Sequence, residues 1–514
     1  MTDIASRVAR NSAFGVGRFL VSAPILFFTT PFLLSHLGTE RFGVWALMSI
    51  VTAYAQLTDL GMAQGVIKFV AEVDPKRDAG RINRVLNSAL LIYIVTGSLA
   101  ALGVVTASDF LVKSVFQIPD HLVEEALLVI RIVPVVFAIS MVSALFSSVL
   151  AGLLRLDLVN VALVVYSVLD ASGSVLVVQL GWGLVGLAMS RLVLTLIMVA
   201  AYFLLMKNAV SGVRLGSVWV SRQCIRELLG YGLNVQVGAL SRVVRESVAK
   251  LVINYVVSVG AVSLFDITAR LVSQSKNIFL AALASILPAS STLHSSGERS
   301  RLVLMYRLSV RYVLLAVLPA NLLLASMAGA FVSLWLGQGY ELVGQGVQVL
   351  ALASAMDTVA VPAFEILSGT EFIALATRLS VISSIVIAGL CLSFGMIWGY
   401  SGVIFGLATA LIVMAVTIMW FCHRKIGTSF GGLAQAVSWR GVCWAAVVAS
   451  LTAVAANRID FVAPVGWVAL FGLLATAGIA YLIAVLAGGI LTRSDLMLLK
   501  RVAPHPLAQL IRVS

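Results

Sequence analysis

DLVNVALVVYSVLDASGSVLVVQLGWGLVGLAMSRLVLTLIMVAAYFLLMK, from Asp157 to Lys207, is the stretch whose reading decides the fold. Two apolar runs, 157–179 and 183–206, flank a short glycine-bearing link, Leu180-Gly181-Trp182-Gly183. Each run reaches the roughly 20 residues a helix needs to cross about 30 Å of hydrocarbon. Neither alternates polar with apolar residues, as a membrane β-strand would. In lipid only helices and closed barrels satisfy every backbone group, so the pair reads as a membrane-spanning helical hairpin.

Outward from this hairpin the pattern repeats. Of the 514 residues, 61% are hydrophobic and 11% charged, where a soluble domain carries about a quarter charged residues. The apolar segments fall at 11–35, 41–71, 85–106, 122–151, 157–179, 183–206, 227–257, 261–290, 302–326, 345–367, 372–395, 399–422, 438–456 and 463–491. The expected fold is an all-α polytopic membrane protein of about fourteen transmembrane helices. Its polar stretch 209–226 separates a lobe at 1–208 from a lobe at 227–425, each of six helices. A two-helix appendix and tail occupy 426–514.

Lys and Arg orient the chain, because cytoplasmic loops carry the excess. With the N-terminus in the cytoplasm, the inner loops hold Lys76, Arg77, Arg81, Arg84, Lys207, Arg214, Arg222, Arg226, Arg424 and Lys425, among others. The outer loops hold only Arg41, Lys113 and Arg458. Both termini are therefore expected in the cytoplasm. The net charge of +13 is a topological signal; no basic domain stands outside the membrane to bind nucleic acid. Cys224, Cys391, Cys422 and Cys443 lack metal-ligand spacing and none falls in an outer loop, so neither a metal site nor a disulfide is expected. The first apolar run is too long for a cleavable signal. No P-loop, zinc motif or Ser/His/Asp arrangement occurs, and the expectation is of a protein that is no enzyme and carries no cofactor.

Ionisable residues inside apolar helices are costly and face a cavity, a partner or a function. Arg242, Arg245, Glu246 and Lys250 share one face of the seventh segment, where Arg242–Glu246 and Glu246–Lys250 have i,i+4 spacing. On the eighth, Asp266, Arg270, Ser273, Gln274 and Asn277 form a stripe with Lys276 beside it. The second carries Ser49, Thr52, Gln56 and Asp59. Arg18, Arg131, Asp170, Arg191, Asp357 and Glu365 complete the set. Across segments seven and eight cations outnumber acids, an arrangement that suits an anionic ligand; the structural alternative is that these groups pair among themselves. Asp59, Asp266, Asp357 and Glu365 are the candidates for coupling to H⁺ or Na⁺. Arg131 and Arg191 read as structural.

The segment Phe32–Glu72 carries an LG-x-x-x-F-G turn at Leu37 to Gly43 and the triplet Asp59-Leu60-Gly61. It resembles the polysaccharide transporters, the O-antigen and exopolysaccharide flippases, of the multidrug/oligosaccharidyl-lipid/polysaccharide (MOP) exporter superfamily. A looser counterpart runs from Leu229-Gly230-Tyr231-Gly232 to Leu293. The resemblance implies two bundles around a central cavity in the bacterial inner membrane. It also implies flipping of an undecaprenyl-diphosphate-linked oligosaccharide to the outer leaflet, alongside a polysaccharide polymerase machinery. The diphosphate would be received by cations, and Arg18, Arg242, Arg245 and Arg270 are the positions here that fit. Two other functions stay open: a drug/cation antiporter of the same fold, disfavoured by the cationic excess, and a membrane glycosyl transferase or polymerase, disfavoured by short outer loops.

Overall fold

The computed structural model describes residues 2–73, 78–210, 212–283, 285–428, 431, 439–456, 458–459 and 465–487; at 2–23, 231–239, 242, 281–282 and 487 it describes the backbone alone. Among them there is no β-strand. The helices are α1 (Thr2–Ala55), α2 (Met62–Ala71), α3 (Ala79–Thr106), α4 (Val123–Gly152), α5 (Leu156–Gln179), α6 (Gly183–Ala209), α7 (Arg222–Val256), α8 (Val259–Leu283), α9 (Ile286–Ser295), α10 (Arg299–Leu336), α11 (Glu341–Ser368), α12 (Ile373–Ile426), α13 (Trp439–Ala456) and α14 (Val465–Ala487). Nine helical spans among the described residues are long and apolar enough to cross a membrane. The opening hairpin is α5 and α6.

Two of these elements are folded pairs. α1 turns at Gly38, whose φ of 75° and ψ of 170° are closed to side-chain-bearing residues, and α12 turns at Gly399 (φ 58°, ψ −133°). Two segments expected to be continuous are broken. The run 41–71 stops at Ala55, passes through a 3₁₀ turn at Gln56–Asp59, and resumes as α2 after two left-handed residues, Leu60 (φ 50°) and Gly61 (φ 68°). The run 261–290 ends as α8 at Leu283 and restarts as α9, with Pro288 in its first turn, where its missing N–H costs nothing.

By its contacts the chain forms two compact units, Met1–Asp266 and Ile267–Ser514. In the first, α4 packs on α3 and α6, and α1 runs along α5. Its core joins Met62, Val66 and Val70 of α2 to Leu86 and Tyr93 of α3 and Leu145 and Val149 of α4. In the second, α11 lies between α10 and α12, around Tyr306, Val359, Ala363, Ile366 and Cys422. The α13–α14 pair rests on α10, with Ala445, Tyr481 and Val485 against Leu315, Leu322 and Leu323. Large apolar side chains point outward too, such as Leu99 (64% exposed), Ile397 (67%) and Val468 (75%). That distribution suits lipid, where an outward leucine costs nothing and burial does not drive helices together.

Candidate functional site

The polar residues of α7 and α8 are the starting point. In the first unit Lys250 Nζ donates to Asp266 Oδ1 at 2.6 Å and to Ser49 Oγ at 3.0 Å. This ion pair ties α7 to the start of α8, and its serine contact reaches the second half of α1. Asp266 is 3% exposed, while Glu246, the intrahelical candidate four residues before Lys250, is exposed. A buried carboxylate left alone costs far more than an exposed one, so the lysine goes to Asp266. Arg245 is half-buried and makes no ion pair among the described residues. The Arg242 and Arg18 side chains lie outside the described residues, and so does the Arg242–Glu246 pairing.

In the second unit Lys276 of α8 forms an ion pair with Asp357 of α11. Arg270 is half-buried on the same helix. Glu365 is also half-buried, and its carboxylate meets neither a cation nor a hydroxyl among the described residues. Of the four acids singled out for ion coupling, two are thus engaged by lysines.

Asp59 has a different environment. It ends the 3₁₀ turn at the break between α1 and α2 and accepts a hydrogen bond from Tyr93 Oη. The backbone of Ala63 and Gly61 also lends it hydrogen bonds. A carboxylate at the first turn of α2 satisfies N–H groups that a helix start leaves unpaired and complements its dipole. The Asp59-Leu60-Gly61 triplet therefore has a local explanation: the acid caps the new helix, and two left-handed residues make the turn. In the LG-x-x-x-F-G motif, Gly38 supplies the turn, and Gly43 faces the backbone of Val259 so closely that a Cβ would overlap the Val259 carbonyl.

The remaining intramembrane arginines of the first unit are held. Arg131 donates to Ser108 Oγ (3.2 Å) and pairs with Asp109 at 3.3 Å. Arg191 lies 3.4 Å from Asp170 and covers the Trp45 ring at 4.7 Å. Sequence reasoning missed Lys250 and Lys276 as the partners of Asp266 and Asp357, and Tyr93 as the partner of Asp59. No spacing rule links residues 16, 81 or 34 positions apart.

A family model described as "Polysaccharide biosynthesis protein" matches residues 35–345, the span that holds both motifs and helices α7 and α8. No curated protein sequence matches the chain. Among solved structures, an inward-facing multidrug resistance MATE family transporter of the MOP superfamily superposes with a TM-score of 0.70 at 16% identity, covering 80% of this chain and 98% of that one. An outward-facing MATE family transporter gives 0.59 at 16% identity, covering 82% and 95%. A MOP superfamily transporter from Pyrococcus furiosus gives 0.60 at 16% identity, again covering 82% and 95%. At this identity the likeness speaks for the fold alone. With nine membrane-length apolar spans among its described residues and a family model that matches well over half of its length, the chain is a multi-pass membrane protein that belongs to the polysaccharide biosynthesis protein family.

Proposed function

We propose that the protein flips an undecaprenyl-diphosphate-linked oligosaccharide from the inner to the outer leaflet of the bacterial inner membrane by alternating access. The observation that supports this most is the engagement of two acids, Asp266 of α8 and Asp357 of α11. Asp266 and Asp357 are taken by lysines, so neither is left as a bare carboxylate for a cationic drug. The half-buried guanidinium groups of Arg245 and Arg270, with Arg18 and Arg242, are the residues proposed for the diphosphate. A guanidinium fork matches phosphate oxygens in a bidentate manner that ammonium does not. The Pyrococcus furiosus MOP superfamily transporter has a binding pocket of reverse polarity that suggests a different function; this fold thus accommodates pockets of more than one polarity.

A second reading, cation antiport, is favoured by one group: the half-buried Glu365, with no cationic partner among the described residues. Reconstituted vesicles separate the two. A fluorescent undecaprenyl-diphosphate oligosaccharide is followed by its loss of protection from an impermeant quencher, and ethidium by its expulsion under a proton or sodium gradient. Flipping without ethidium transport is expected, with Arg245→Ala slowing flipping and leaving thermal stability unchanged. Ethidium transport without flipping would replace the proposal by the antiporter.

A further inference from the structure

Between the C-terminal end of α10 and the first two turns of α11, wholly within the second unit, lies a cavity of about 330 Å³. Its base is bare backbone: an added Cβ on Gly344 would stand 3.2 Å from the Gly329 Cα, so nothing larger than hydrogen projects there. Its walls carry Ser333, Tyr340, Glu341, Gln345 and Gln348. Glu341, Gln345 and Gln348 recur at i, i+4 and i+7 and so share one face of α11. Glu341 Oε1 accepts the N–H of Gly339 at 3.0 Å, which fixes the direction of its carboxylate.

Gln345 and Gln348 are exposed, and in lipid an unsatisfied amide costs several kcal/mol. This face of α11 therefore meets water or a polar ligand. Its chemistry is specific. Two amides and the Tyr340 hydroxyl can each donate and accept, and Ser333, whose hydroxyl donates to the Ala330 carbonyl at 3.0 Å, offers an acceptor; the single charge is negative; no Lys or Arg lines the cavity. A phosphate finds no cation here, whereas sugar hydroxyls, which both donate and accept, find a matching partner at each position. The volume lies at the lower end for small-molecule sites and suits one ring rather than a whole glycan. The 337–340 link carries no Lys or Arg, which assigns it to the outer side.

We infer that this cavity is a saccharide subsite that holds one sugar ring of the cargo on the release side. The inference rests on the reading that the cargo carries a glycan. Full-length protein in lipid nanodiscs is tested by saturation-transfer NMR against the methyl glycosides of glucose, galactose and N-acetylglucosamine, with inorganic pyrophosphate and tetraphenylphosphonium as non-sugar probes. At least one glycoside binds. Affinity falls about tenfold or more in the Gln345→Ala/Gln348→Ala double variant, the scale of two ordinary hydrogen bonds. Ser333→Phe, which fills the cavity from an exposed position, abolishes binding, and both variants unfold at the parent temperature. Binding of no glycoside, equal binding in both variants, or displacement of every glycoside by tetraphenylphosphonium would overturn the subsite. Flipping is measured in parallel. Glycoside binding lost in the variants, in a protein that flips no lipid-linked oligosaccharide, keeps the subsite and removes the flippase. Flipping without glycoside binding removes the subsite alone.

Discussion

Lys250 had a partner within its own helix, Glu246, and takes Asp266 instead. The choice follows from desolvation: the Asp266 side chain is 4% exposed and that of Lys250 15%, so each needs the other more than Glu246 needs either. Lys250→Met removes the cation that faces the buried Asp266 carboxylate, and is expected to cost about 3–5 kcal/mol of stability. Lys250→Met combined with Asp266→Leu restores most of it, since replacing a buried pair by apolar groups is often neutral. Thermal unfolding of the purified variants in one detergent decides this; equal loss in single and double variants would mean that the ion pair is not what the single change disrupts. The same reasoning separates the acids by role. Glu365→Gln is expected to remove any dependence of transport on a proton gradient while leaving the fold intact, because among the described residues its carboxylate supports neither a cation nor a hydroxyl. Asp357→Asn, which releases Lys276, is expected to lower stability first. Transport with and without an imposed pH gradient, beside melting curves, reads both; a gradient response retained in Glu365→Gln would exclude Glu365 as the coupling group. At this scale the sequence displays which charges enter the membrane but not whom they meet. Spacing along one helix is visible in the chain, while a partner 81 residues away, as Asp357 is from Lys276, is set by helix packing.

The helix break at Gln56–Gly61 shows what an element conceals. The residues from Arg41 to Ala71 stay apolar enough to read as one span, since hydropathy reports lipid compatibility and not backbone geometry. The available signal was the triplet Asp59-Leu60-Gly61: an acid ahead of a glycine marks both a helix start and a left-handed position. Less foreseeable was Leu60, a leucine at φ 50°, a conformation that costs roughly 1–2 kcal/mol in a residue with Cβ. The hydrogen bond from Tyr93 to Asp59 holds the break against that cost. Tyr93→Phe should therefore destabilise the first unit by about 1.5–3 kcal/mol, the range for a hydrogen bond to a charged group, with Asp59→Asn less harmful because an amide oxygen still accepts. An unchanged melting temperature in Tyr93→Phe would show that the break stands without the tyrosine. At the other motif, Gly38→Ala is expected to cost about 1–3 kcal/mol, the penalty for Cβ in a conformation open only to glycine. A change of less than about half a kcal/mol on the same assay would mean that the turn readjusts freely.

For the whole molecule, the lipid solvent makes fold class legible, because it leaves the backbone few solutions and demands long apolar runs. Internal division is less legible. Polarity cuts the chain at 209–226, whereas contacts cut it at Asp266, inside α8, because α7 packs against α2 and α3 of the first unit. A polar link marks where the chain leaves the membrane, and packing is blind to that. Orientation rests on charge alone. The 207–226 stretch holds Lys207, Arg214, Arg222 and Arg226 with no acid, and moving it across the membrane would oppose the positive-inside bias at every one of them. The 337–340 link holds none. Cysteines placed singly in a variant lacking the four native ones test both. Leu215→Cys and Gln338→Cys suit the purpose, since both positions are exposed, and removal of the exposed Cys443 and the half-buried Cys224 keeps native thiols from confusing the readout. In intact cells a membrane-impermeant maleimide is expected to label position 338 and not 215; after permeabilisation both react. Labelling at 215 from outside would invert the molecule. The cavity between α10 and α11 would then open to the cytoplasm, and its saccharide role would pass from release to loading.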